Sequence, residues 1–84
     1  MEARLTAGDW VQALSEVSEE LPGGAVFMHS VKGGIGHVME SDVDGDPQWV
    51  NVWFERTKTI TVCHVSELFW LGGAETGREV WELK

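Results

Sequence analysis

Cys63 and His64 stand side by side in "TITVCHVSEL". A thiolate next to an imidazole is a pairing used for nucleophilic attack or for metal ligation. The surrounding β-branched residues predict an extended chain, and adjacent residues of a strand point to opposite faces, so the two side chains would not meet. A zinc site would need His29 or His37 and a further ligand, and no C-x-x-C or H-x-x-x-H spacing occurs. The expectation is a small half-buried thiol and a hydrogen-bonding histidine at the end of the sheet.

Three other stretches invite a chemical reading. "GGIGHV" (33–38) has the glycine content of a phosphate-cradling loop, but "HVMESDVDGD" after it is no helix whose N-terminus could meet a phosphate. "DVDGD" spaces Asp42, Asp44 and Asp46 like the start of a calcium loop, yet the distal glutamate is missing. An exposed hairpin tip is the better reading. "SEVSEE" carries Glu16, Glu19 and Glu20 with no partner that would make an acid–base pair. No catalytic set, metal site or cofactor is expected, and the chain leans away from being an enzyme.

What remains is aromatic. The chain has five tryptophans and no tyrosine. In "QWVNVWFE", Val50, Val52 and Phe54 share one face of a strand, and Trp49, Asn51 and Trp53 share the other. If the valines and Phe54 face the core, the two indoles look outward, where they are covered by the 15–32 loop or the tail, meet another copy, or form a partner or ligand site, tryptophan being enriched at binding hot spots. Trp10 and Trp70 are expected to extend that patch, because first and last strands often lie side by side. The candidate binding residues are therefore Trp49, Asn51, Trp53, Trp10 and Trp70.

The elements that would position them follow from the pattern. Asp9 to Leu14 is extended, with Val11 and Ala13 on one face. Residues 15–32 read as a long excursion, with a turn or two of helix in "SEVSEEL" and a short strand or packed loop in "AVFMHSV". "GGIGHVMES" is a strand that bends at Gly34 and Gly36. Asp44-Gly45 is a hairpin turn. "QWVNVWFE", the turn "ERTK" and the strand "TITVCH" follow, with Ile60 and Val62 on one face. "VSEL" suits a single 3-10 turn with a capping serine, and "FWL" closes the sheet. The tail "GGAETGREVWELK" is read as an ordered extension, helix or edge strand, holding Trp81.

The fold class is thus all-β: a small SH3-like antiparallel barrel of about five strands at 1–71, a long loop after the first strand, and a C-terminal extension at 72–84. A domain of 84 residues buries only roughly 60–65% of its unfolded surface, so self-association would help it. Fourteen acidic and six basic side chains give a net charge of −8. That charge opposes nucleic-acid binding and suits a basic protein partner. No apolar run is long enough to span a membrane. One cysteine and no leader-like N-terminus point to the cytoplasm.

"GDWV" (8–11), "GGIGHV" (33–38), "VNVWF" (50–54) and "VCHVSEL" (62–68) together resemble a pattern shared by several bacterial SH3-like families. These are the photosystem I accessory protein PsaE, the variable chain of ferredoxin–thioredoxin reductase and the nitrogen-fixation protein NifZ. The resemblance covers residues 8–71 and implies a non-enzymatic docking or accessory module. The architecture also resembles the type II dihydrofolate reductases, homo-oligomers that build one site from several copies. Their Val-Gln-Ile-Tyr segment would fall on Ile60, Thr61, Val62 and Cys63, where the glutamine and tyrosine are missing.

Overall fold

The computed structural model describes residues 5–73. They form strands β1 (Trp10–Ala13), β2 (Val17–Glu20), β3 (Val26–Ser30), β4 (Ile35–Glu40), β5 (Trp49–Phe54), β6 (Thr59–His64) and β7 (Leu68–Gly72), with a 3-10 turn at Val65–Glu67. Five strands make one antiparallel sheet in the order β6-β5-β4-β1-β7, and β2 and β3 make a second, two-stranded sheet. β6 and β7 are the edges of the larger sheet and do not pair with each other, so the sheet is not closed. No α-helix occurs among the described residues, and none of them forms a helix long and apolar enough to cross a membrane. β7 runs to Gly72, and the expected extension lies, from residue 74, outside the described residues.

β5 shows why the sheet has an inside. Val50, Val52 and Phe54 are fully buried, while Trp49, Asn51 and Trp53 alternate to the opposite face. Val11 and Ala13 of β1, Val38 of β4, Cys63 of β6 and Leu68 of β7 join the same core. Each fully buried Val or Phe contributes about 1.5–3 kcal/mol of transfer free energy. Gly36 sits between β1 and β5, opposite Val11 and Phe54. A Cβ there would lie 2.5 Å from Val52 Cγ1 and 3.1 Å from the Phe54 ring, so this strand position admits no side chain. A Cβ on Gly34 would collide with Ser30 Oγ. Gly36 thus lets β4 lie close against β5, and Gly34 lets the β3–β4 loop turn tightly past Ser30.

Within residues 15–32, "AVFMHSV" forms the short strand that is one of its two readings, and "SEVSEEL" departs from expectation. No helical turn forms in "SEVSEEL"; β2 and β3 make a hairpin through Pro22, Gly23 and Gly24, whose glycines both have φ of 90°. Only Val17 of β2 is buried, so the alternation that marks a half-buried strand is absent. His29 of β3 fastens this hairpin to the main sheet. It is buried, its Nδ1 lies 2.7 Å from Thr59 Oγ1, and its Nε2 lies 2.9 Å from Glu19 Oε1. Thr57 Oγ1 donates to the His29 carbonyl at 2.8 Å and lies 2.7 Å from Thr59 Oγ1.

The 3-10 turn is capped by His64, where a serine cap was expected. His64 Nδ1 accepts from the Ser66 backbone N–H at 3.1 Å, and Glu67 Oε1 accepts from the His64 backbone N–H at 2.9 Å. The imidazole serves here as the side-chain half of a capping box.

Candidate functional site

The outer face of the main sheet gathers most of the aromatic candidates. Strand register sets Trp10 opposite His37, His37 opposite Trp53, and Trp53 opposite Ile60. This row crosses β1, β4, β5 and β6. The Trp10 and His37 rings pack with centroids 4.9 Å apart, and Lys58 Nζ stands 5.9 Å from the Trp53 ring centroid. One rung along, Asn51 is opposite Val62, and its Nδ2 donates to Glu40 Oε1 at 2.9 Å. The next rung pairs Trp49 with His64, their rings edge to face at 4.9 Å. Cross-strand aromatic pairs of this kind contribute about 0.2–1 kcal/mol each to the sheet.

The face is not covered by the β2–β3 hairpin. Ile60 is 53% exposed, Val62 45% and Trp49 40%. Trp10 and Trp53 are half-buried within the row. Trp70 is brought elsewhere: it lies on the edge strand β7 opposite Val11, beside a break in the β1–β7 register, and is 48% exposed. So Trp10, Trp49, Asn51 and Trp53 converge on one surface, and Trp70 does not belong to their row. The sequence pattern alone does not join His37, Ile60 and Val62 to this face. The period-2 alternation of β6 carried part of that signal, since Ile60 and Val62 share a face; their pairing with Trp53 and Asn51 is set by register.

Acid lies at one end of the face. Asp44 and Asp46 with Val43, Trp49 and Val62 line a cleft of about 410 Å³. Asp44-Gly45 makes the expected tight turn, with Val43 bridged to Asp46 and left-handed φ at both central residues.

The reactive candidates are held apart. Cys63 is buried in the core, and burial, reinforced by Glu67, pushes its thiol up to about 12. A thiol so placed is not a nucleophile at neutral pH. His64 points to the other face and is engaged by Ser66 and Gln48. Among the described residues no group of His, Cys, Asp and Glu is arranged to hold a metal. Glu19, His29 and Thr59 follow the acid–base–hydroxyl order of a hydrolytic triad. His29 is buried, however, and Thr57 and Thr59 line neither cleft, so the cluster acts as a joint between sheets. Comparison of the chain with protein-family models, with curated proteins and with solved structures returns no match.

Proposed function

We propose that this chain is a non-enzymatic binding module of SH3-like type, which docks a protein partner on the outer face of its five-stranded sheet. The observation that carries the reading is the cross-strand register that sets Trp10, Trp53 and Ile60 in one row, with Trp49, Asn51 and Val62 beside it. A monomeric sheet gains nothing from leaving an indole and two branched aliphatics half in water, whereas a partner that covers them gains their transfer free energy. The partner is a protein with an apolar centre and a basic rim. Net charge −8 and the carboxylates of Asp44 and Asp46 at the edge of the face supply the complementary field. The SH3-like assignment is supported by the element order: a first strand, a hairpin excursion, a three-strand meander, a 3-10 turn, and a last strand beside the first.

A photo-cross-linking residue at Gln48, next to Trp49, tests this in the expressing cell. The expected result is an adduct with a protein whose cross-linked segment is rich in Lys and Arg, sharply reduced when Ile60 and Val62, both exposed on that face, are changed to threonine. An adduct that persists in that double variant, or none at all, refutes the reading. An adduct only between copies of the chain would replace the partner with self-association, which the exposed Ile60 and Val62 on the edge strand β6 would serve.

A further inference from the structure

We propose that the cleft between the β3–β4 loop and the β5–β6 turn is a binding site for a small multivalent oxyanion, a phosphate or a polycarboxylate. The cleft measures about 430 Å³, within the range of small-molecule sites, with Lys32, Gly33 and Gly34 on one side and Glu55, Arg56 and Lys58 on the other. The chain carries a net charge of −8, yet every Lys and Arg among the described residues lines this one space. Cations kept for solubility would be interspersed with the acids. Here they are gathered, and none of Lys32, Arg56 and Lys58 forms a salt bridge with a described acid. Glu55 forms no ion pair with them, and its buried Oε2 has no hydrogen-bond partner among the described residues.

Two backbone features support a built site. Lys58 has φ of 58°, a left-handed conformation that glycine or asparagine adopts with less strain. A long cation kept there at a cost in stability points from strain to function. Beside Lys32, the facing wall is the glycine backbone of Gly33 and Gly34. Gly33 N–H donates to the Ala13 carbonyl at 2.8 Å, and the Gly34 carbonyl accepts from Ala13 N–H at 2.8 Å, so β1 holds that wall in place. Three cations less one carboxylate leave a surplus of two positive charges, which suits a dianion. Arg and Lys together supply the planar and point-charge donors that oxyanions take.

The site shares Lys58, which stands over the Trp53 ring, with the docking face, but it needs no partner and is tested without one. The full chain is titrated with potassium phosphate, pyrophosphate or citrate, with ionic strength held constant by potassium chloride, and followed by amide NMR shifts. Saturable shifts confined to Gly33, Gly34, Arg56 and Lys58 are expected, with affinity at least tenfold weaker in the Lys32→Gln/Arg56→Gln variant. The phosphate and citrate arms decide which oxyanion is preferred. Lys58→Gly should raise the melting temperature by relieving the backbone while weakening the anion, a split that a purely structural lysine would not give. Shifts that grow linearly and match those in chloride alone, or affinities unchanged in both variants, overturn the proposal.

Discussion

Replacing Gly36 by alanine tests the closeness of β4 to the core. The added methyl would stand 2.5 Å from Val52 Cγ1 and 3.1 Å from the Phe54 ring. Both neighbours are fully buried, and Val52 is β-branched, so turning it about χ1 only drives its other methyl into the core. Overpacking of this kind costs about 1–3 kcal/mol. Removing glycine's freedom from the unfolded chain returns about 0.4–1 kcal/mol. The net loss is about 1–2 kcal/mol, a large part of the roughly 4–13 kcal/mol expected for a chain of this length. Val52→Ala alone removes two methyl-sized groups and costs about 2 kcal/mol. In the double variant the new methyl occupies part of that void, so the combined loss should fall short of the sum by about 1 kcal/mol. Urea titration read by tryptophan fluorescence measures each midpoint. A midpoint for Gly36→Ala at or above that of the parent chain, or strict additivity in the double variant, would refute the close approach.

Three further outcomes are expected. His29→Ala removes the contacts to Thr59 and Glu19 and should cost about 1–3 kcal/mol; hydrogen exchange should quicken more in β2 and β3 than in β5, and a uniform increase would count against the joint. Cys63 should resist thiol reagents in the native protein at pH 8. Its folded value, raised to about 12 from an ordinary 9.0, means that the unfolded chain loses the thiol proton first. Its contribution to stability is therefore whole below pH 9 and lost as pH rises toward 12, a slope that Cys63→Ala should flatten in alkaline melts. Light scattering should give a monomer mass at micromolar concentration; a dimer abolished by Val62→Glu would transfer the face to self-association.

The sheet was legible where burial differs between faces. The alternation in 49–54 locates both the core side and the indole side of β5, and Asp44-Gly45 fixes the turn before it, because both signals are local. The β2–β3 hairpin was not legible, since a two-stranded ribbon with little buried surface has no hydrophobic period to read, and serine and glutamate suit a helical turn equally well. The cationic cleft was hidden for another reason. Lys32 is distant in sequence from Arg56 and Lys58, and only the β4–β5 pairing brings their loops together. The role of His64 was masked by Ser66, the conventional capping residue two positions on.

The tryptophans are poor probes of their own surface. Trp53 lies between His37 and Ile60 in the register and under Lys58, and Trp10 packs on His37, so alanine at either position loosens cross-strand packing along with any contact surface. Loss of binding in Trp53→Ala would then be ambiguous. Ile60 and Val62 separate the two effects. Both are about half exposed on an edge strand, and threonine keeps the β-branched shape there, so Ile60→Thr/Val62→Thr should move stability by only about 0.5 kcal/mol. If a partner buries what those side chains now show to water, the lost apolar area is worth about 2 kcal/mol, or roughly thirtyfold in affinity. A thirtyfold loss of adduct-forming affinity with an unchanged melt assigns the face to binding. Unchanged affinity in the threonine pair, beside a Trp53→Ala variant that loses stability and binding together, would mean that the indoles only hold the sheet together.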